Sequence, residues 1–464
     1  MIELTFRQLL DATGARSRTE GFDRPLRGVS TDSRSVQPGQ VFVGLPGPNF
    51  DGSAFAAAAV EAGAAALLLQ DAGDDFSTSS APGVEIAVHP DPLRALGDLA
   101  AWHRSRLGAK VIGITGSCGK TSTKNVLARL LESLGATVAS PSSFNNAVGV
   151  PLTLFQAGPE TEFVVCEIGT SGPGEIEALC RIARPDVGAV TNVGPSHLSG
   201  LGSIEGVAHE KGYLPAAIPN DGQVVLNADC RFAPELRSRT GARVLSVGID
   251  SEADLRATDV VFHSGGTSFR LDGREVASPL LGTHNVSNLL VAFAVVRALG
   301  HSIEEVLPAV ERLTESRRRM ERHELGDVTV FDDTYNANPA SVSTAVRVLE
   351  GLSGYGRRVL VLGDMLELGE FEKELHHQVG MEAARAGLEL VVAVGDLARA
   401  AAAGALEGGL PGEAVLHLGR AEEAVEAVPE LVRPGDAVLV KASRALRLER
   451  VVEALIERFN APVC

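Results

Sequence analysis

At 464 residues, 45% of them apolar, the chain has material for more than one core, and the usual domain size of roughly 100–200 residues divides it into about three. Its 59 Asp and Glu against 42 Lys and Arg leave a net charge of −17, which argues against nucleic acid or an anionic membrane surface as the main partner but leaves room for a local basic pocket. Five cysteines with no CxxC pair and no metal-ligand spacing suit free thiols in a reducing compartment, so a cytoplasmic protein is expected.

The N-terminal stretch MIELTFRQLLDATGARS carries Glu3 and no continuous apolar segment ahead of a cleavage site, so it does not read as a secretion signal. The longest apolar run, Phe55 to Leu69, contains Glu61 and is too short to span a bilayer, so no membrane insertion is expected. Residues 1–90 mix the strand-like runs VFVGL (41–45) and ALLLQ (66–70) with an alanine-rich helix and end in QDAGDDFSTSSAPG, which reads as a small α/β domain and a linker. Over 91–316 the strands VIGIT (111–115), FVVCEIG (163–169), VGAVTNVG (187–194) and VVLNAD (224–229) alternate with helices, implying a parallel sheet covered on both faces. The apolar helix NVSNLLVAFAVVRALG (285–300) and one further helix close this unit. Beyond the basic cluster Ser316-Arg317-Arg318-Arg319, the runs VTVFDD (328–333), RVLVLGD (358–364), LVVAVGD (390–396) and AVLVKASR (437–444) give a third, doubly wound, Rossmann-like domain over 317–464. The fold class is therefore α/β in three domains.

The stretch GITGSCGKTSTKN (113–125) follows a buried strand and opens a helix whose apolar positions Val126, Leu127, Leu130, Leu131 and Leu134 recur at helical spacing. Its backbone N–H groups and the helix N-terminus would face an anion, with Lys120 reaching the β/γ-phosphates and the Thr121 hydroxyl on Mg²⁺. The common P-loop pattern wants a glycine where Ile114 stands, so a glycine-rich turn with a chance Lys-Thr is the alternative. Glu167 ends the apolar run from Phe163 to Cys166, at the strand end where open α/β sheets bind ligands and where a P-loop enzyme keeps a metal-holding acid. A solvated Glu would occupy the same place. His197, in TNVGPSHLSGLGS, follows another such strand, although a lone loop His is more often merely exposed; by spacing alone Lys211 is a surface lysine.

In order along the chain, TGSCGKTST, SFNNAVGVPLTLF, CEIGTSGPGEIE, TNVGPSHLSGLGS, LGTHNVSN, FDDTYNANPAS and LGDMLELGEFE resemble the Mur ligases of peptidoglycan synthesis, and the likeness extends from STDSR (30–34) to LVKASR (439–444). The family loop T-G-x-x-G-K-T is matched by Thr115, Gly116, Gly119, Lys120 and Thr121, which accounts for the displaced glycine; Ser117, Cys118 and Ser122 complete the stretch expected to bind ATP. The resemblance implies that Thr121 and Glu167 hold one Mg²⁺, that His197 ligates a second, and that Lys211 is carbamylated into a carboxylate-like ligand, leaving Lys120, His197 and Lys211 as the catalytic set. It further implies adenine contacts at Asn285 and Asn288 after His284, a ribose contact at Asp333, a phosphate-facing Arg319, and an approach to the phosphates by the loop of Asn145 and Asn146. A helix cap or Asx turn is the alternative for Asn285 and Asp333.

In the first domain Ser30, Thr31, Asp32, Ser33 and Arg34, with Asn49, Asp51 and Gly52, resemble the surface that holds a uridine diphosphate, Arg34 being the natural diphosphate partner. Lys441, Ser443 and Arg444 fall where the resemblance places a dipeptide. Three positions depart from the family: Arg318 stands for a usual Gly before Arg319, implying a stiffer hinge, Ser53 for a His, and Ala442 for a Gly. The implied activity is ATP-dependent amide ligation through an acyl phosphate, performed by a hinged monomer. DDTYNANP and GDMLELG resemble the branch that joins D-alanyl-D-alanine to UDP-N-acetylmuramoyl-tripeptide. A sibling adding a diamino acid would carry an Asp-Asn-Pro-Arg stretch, which is absent, and a nicotinamide-dependent dehydrogenase would need a G-x-G-x-x-G after a strand, also absent. A non-catalytic ATP-binding switch is the remaining rival. The base for the attacking amine is not legible.

Overall fold

In the computed structural model, which describes residues 1–19, 23–47, 51–70, 83–263, 266–315 and 317–460, the apolar runs become the inner strands of three sheets. Asn49 and Ser316 lie outside the described residues. The first sheet runs Arg16–Ser17, Glu85–His89, Ala66–Gln70, Val41–Val43, Val29–Ser30, parallel except for its first pair. The helix Pro92–Arg104 follows, started by Asp91, whose side chain accepts from the Arg94 N–H, and by Pro92 in its first turn. Its buried Ala95, Leu96, Leu99 and Ala100 share one hydrophobic cluster with Leu9, Leu68, Val111 and Leu154. The first two domains are thus joined by a common core across the position where the sequence changes pattern.

Among the described residues the central sheet has nine strands, in the order Arg274–Ser278, Gly266–Leu271, Leu255–His263, Arg243–Gly248, Gln223–Asn227, Val187–Val190, Lys110–Thr115, Phe163–Glu167, Thr137–Ala139. From Thr137–Ala139 to Leu255–His263 all pairs are parallel, as expected. The antiparallel extension over 255–278 is not evident in the sequence pattern. Its strands are studded with polar residues such as Arg256, Thr258 and Arg270, because antiparallel edge strands can leave one face in water. The helix Thr283–Ala298 is apolar on every side, and its residues Val286 and Leu289 to Val296 are buried, which makes it the central post of this domain.

The third sheet runs Glu321–Leu325, Val328–Asp333, Asp436–Lys441, Arg357–Gly363, Leu390–Val394, Val415–Leu418, with only the first pair antiparallel. Among the described residues no helix is long and apolar enough to cross a membrane.

The topology fixes where ligands meet the central sheet. The chain lays Thr137–Ala139 and Phe163–Glu167 on one side of Lys110–Thr115, and every later strand on the other. The carboxyl ends of Lys110–Thr115 and its neighbour Val187–Val190 therefore flank a switch point, where a crevice opens and loops from both strands converge.

Candidate active site

At that crevice the loop after Thr115 turns sharply into the helix Lys120–Glu132. Two of its glycines are there for space and conformation: Gly116 has φ 153° and Gly119 φ 81°, and a Cβ on Gly119 would sit 2.6 Å from Asn288 Oδ1. The loop is tied to its neighbour by the Cys118 N–H donating to Asn192 Oδ1 (2.9 Å) and by the Ser117 hydroxyl, which donates to Gly194 O (2.8 Å) and accepts from the Gly194 N–H (2.9 Å). The Lys120 ammonium donates to Gly116 O at 2.6 Å, and burial pushes its pKa down.

Thr121 and Glu167 meet directly: the threonine hydroxyl donates to Glu167 Oε2 at 2.8 Å, and the Asn145 side-chain amide donates to Oε1 at 2.9 Å. Glu167 is 1% exposed, and no ion pair reaches it among the described residues. Its hydrogen-bond donors are neutral, and the Lys120 and Lys124 charges act on it without an ion pair, so this donor set fits a divalent ion held by Glu167 and Thr121. Arg319, from the third domain, donates to Thr121 Oγ1 (3.0 Å) and stacks its guanidinium 4.1 Å above the Tyr335 ring.

His197 begins the short helix Leu198–Leu201 with φ 52°. Its Nδ1 lies 2.6 Å from Glu367 Oε2 of the third domain, and burial, then the nearby Lys120 charge, push its pKa down. Lys211 is not the surface lysine that spacing suggests. It is 1% exposed and its side chain makes no hydrogen bond or ion pair among the described residues; burial, and next the Lys120 charge, lower its pKa well below the ordinary lysine value.

Behind the loop, the Thr123 hydroxyl donates to Asn288 Oδ1 (3.0 Å), Asn288 donates to Asn285 Oδ1 (3.2 Å), and Asn285 donates to Leu281 O (2.9 Å). These asparagines hold the buried start of the central post against the loop, and both also line the cavity described below. The third domain closes the far side. Parallel register sets Asp333 beside Lys441, and the Lys441 ammonium, 2% exposed, donates to Asp333 Oδ2 at 2.6 Å. The result is a cavity of about 350 Å³ lined by Ser117 to Ser122, Glu167, His197, Asn285, Asn288, Arg319, Asp333 and Lys441.

The remaining expected residues are placed apart. Asn146 folds onto the turn ahead of the helix Gly149–Gln156, its Oδ1 accepting from the Val148 and Gly149 N–H groups, and it is Asn145 that reaches the cavity. Thr115 is buried at the strand end, behind the loop. Lys441 lines the nucleotide-sized cavity, while Arg444 is exposed and paired with Glu449 (2.8 Å). Ser443 is buried between them and accepts from the Leu366 N–H (2.9 Å). A second crevice between the first domain and the helix Gly149–Gln156 is lined by Ser30, Thr31 and Asp32 with Phe144 and Phe155. Arg34 stands outside it, exposed and held bidentately by Asp32 at 2.9 and 2.7 Å; Ser33, Asp51 and Gly52 also lie off its walls, Asp51 capping a short turn through the Ser53 N–H. Residues not singled out in the sequence also build the main cavity: Asn192, Tyr335, Asn338 and Ser341. All four fall inside or beside the motifs TNVGPS and DDTYNANPAS, which was their only signal.

Comparison with known proteins agrees along the chain. Residues 25–104 match the model of the Mur ligase family, catalytic domain, residues 114–296 the Mur ligase middle domain, and residues 318–444 the Mur ligase, glutamate ligase domain. The chain is 35% identical to the UDP-N-acetylmuramoyl-tripeptide–D-alanyl-D-alanine ligase of Bacillus subtilis, over 93% of each chain. Among solved structures it is similar to MurF from Acinetobacter baumannii (30% identity, 98% of this chain and 99% of that one, TM-score 0.89). It is also similar to MurF ligase from Thermotoga maritima in complex with ADP (27% identity, 94% and 99%, TM-score 0.81).

Proposed function

The chain belongs to the Mur ligase family, and from that premise we propose that it uses ATP to join D-alanyl-D-alanine to UDP-N-acetylmuramoyl-tripeptide, forming the pentapeptide precursor of peptidoglycan. The observation that carries the reading is the shared construction of the nucleotide cavity, with the phosphate loop and Glu167 from the second domain and Arg319, Asp333 and Lys441 from the third. Such a site completes itself when the domains meet, which suits a reaction whose activated intermediate must be kept from water.

A carboxylate oxygen is a poor leaving group, so the acid must be activated before an amine can displace it. In the proposed course the terminal carboxylate of the tripeptide attacks the γ-phosphorus in line, the bond to ADP breaks, and an acyl phosphate remains. The dipeptide amine then adds to the acyl carbon, loses a proton, and phosphate departs with the bridging oxygen. Lys120 and the loop N–H groups would hold the β- and γ-phosphates, and the helix N-terminus behind them adds its own positive end. Arg319 would face the same charge from the third domain. Mg²⁺, held by Glu167 and Thr121 with a second ion on His197 and modified Lys211, would offset the negative charge gathered on the phosphates.

The burial of Lys211 supports carbamylation, because it favours the uncharged amine, the form that adds CO₂. The nitrogen lone pair takes the carbon, a proton leaves, and the neutral amine becomes an anionic carbamate. Asn285 and Asn288 are proposed for the adenine and Asp333 for the ribose. The crevice of Ser30, Thr31 and Asp32 is proposed for the uridine end of the precursor, and Ser443 with Arg444 for the dipeptide. The domain limits proposed are 1–90, 91–316 and 317–464. The test is product analysis by mass spectrometry with ATP, Mg²⁺ and UDP-N-acetylmuramoyl-tripeptide, offering D-alanyl-D-alanine, single amino acids and diamino acids in parallel. Pentapeptide from the dipeptide alone is expected. Turnover with a single amino acid on a shorter precursor would move the chain to a sibling reaction.

A further inference from the structure

The loop Asp364 to Leu368, in the third domain, is held from several directions. Asp364 Oδ1 accepts from the Ala398 N–H (2.7 Å), the Met365 N–H donates to the buried His376 Nε2 (2.8 Å), and the Leu366 N–H donates to Ser443 Oγ (2.9 Å). Met365 and Leu368 are buried, while Glu367 between them is exposed at φ 65°. A left-handed backbone at a non-glycine residue costs energy and persists where the surroundings over-determine it. Here the anchored neighbours aim one carboxylate out of the third domain. On the second domain His197 has the same unusual backbone, φ 52°, and meets that carboxylate at 2.6 Å; the Ser199 N–H also reaches Glu367 O at 3.4 Å.

The contact has a consequence for the imidazole. With Nδ1 donating to Glu367, the proton of the neutral ring is fixed on Nδ1 and the lone pair on Nε2, which makes no hydrogen bond among the described residues, in a residue that lines the nucleotide cavity. A metal-binding histidine ordinarily has its other ring nitrogen held by a carboxylate or carbonyl in this way. What is distinctive is that the carboxylate belongs to a different domain.

Resting on the reading of His197 as a metal ligand, we propose that Glu367 is a positioning residue that fixes the His197 tautomer across the domain interface, so that docking of the third domain sets the metal-binding form of the second. Metal affinity at His197 and domain closure are then linked through one hydrogen bond. An ATP site in the open enzyme would hold its second ion weakly, and the ion would tighten only when the domain bringing the dipeptide is in place.

The test compares wild type with Glu367→Ala and Glu367→Gln. In the Mg²⁺-free protein with ADP, ¹⁵N NMR of the histidine rings, assigned by a His197→Gln control, should show Nδ1–H at His197 in wild type, a shift toward the Nε2–H form in E367A, and a largely preserved Nδ1–H form in E367Q, whose amide oxygen still accepts. The half-saturating Mg²⁺ concentration for ADP release should rise about 10–100-fold in E367A and less in E367Q, with the KM for the UDP precursor unchanged. An unchanged tautomer and an unchanged Mg²⁺ requirement in E367A overturn the proposal even if wild type is fully active. Absence of ADP release by wild type with all substrates would instead overturn the underlying assignment of function.

Discussion

Replacing Lys124 by methionine should make the stability of this protein respond to pH in a way that wild type minus variant isolates. Lys124, in the helix after the phosphate loop, is 2% exposed, and its ammonium donates to Ser140 O at 2.6 Å and Ser142 O at 2.7 Å. Burial lowers its pKa from 10.5 to about 8, against the attraction of Glu167. Between those values the unfolded chain binds a proton at this position that the folded chain does not, so unfolding free energy rises with pH across the window. At about 1.4 kcal/mol per unit, the contribution of Lys124 should grow by about 2.5 kcal/mol between pH 7 and 10. Methionine fills a similar volume and does not titrate, so groups common to both proteins cancel in the difference. Urea denaturation followed by circular dichroism and by the fluorescence of Trp102 gives the two curves. A difference that stays flat, or falls, from pH 7 to 10 would refute the reasoning that Lys124 is folded in as a costly buried cation. The variant should also lose activity at pH 7.5, because the loop that Lys124 ties down carries Asn145 to Glu167 and Ser143 to Tyr335.

Lys211→Ala should abolish ligation in a folded protein, and added short-chain carboxylic acids should restore part of the rate by standing in for the carbamate; an absence of rescue would count against carbamylation. Gly119→Ala should raise the KM for ATP at least tenfold, since its φ is left-handed and the new methyl would press on Asn288 Oδ1; an unchanged KM, read from the same ADP-release assay, would remove Gly119 from the nucleotide site. Asp333→Ala should destabilise the third domain by about 3–5 kcal/mol, because it leaves the buried Lys441 ammonium without its counter-charge and with only the Asn336 carbonyl as acceptor; a loss below about 1 kcal/mol by urea denaturation would show that the ion pair contributes little.

Much of the architecture was readable because a parallel sheet buried on both faces writes itself as apolar runs, and VIGIT, FVVCE and VLVLG each became inner strands. The hairpins over 255–278 escaped because their alternating polar residues carry no such run. The loop between Thr115 and the helix Lys120–Glu132 was legible as strand, glycines and Lys-Thr, and Glu167 as a charge at the end of an apolar strand. His197 and Lys211 were not, since neither burial nor the neighbourhood of Lys120 is encoded in local spacing; they entered through the resemblance. Glu367 was visible only as one letter of the LGDMLELGEFE motif, because an exposed glutamate in a loop gains its meaning from a histidine 170 positions away.

The central claim is that this chain activates a carboxylate with the γ-phosphate of ATP and then transfers it to the dipeptide amine. The most direct measurement follows ¹⁸O from the labelled terminal carboxylate of UDP-N-acetylmuramoyl-tripeptide through one turnover with ATP and D-alanyl-D-alanine. The account predicts one ¹⁸O in each inorganic phosphate released and one left in the new amide carbonyl. Phosphate free of label would contradict it.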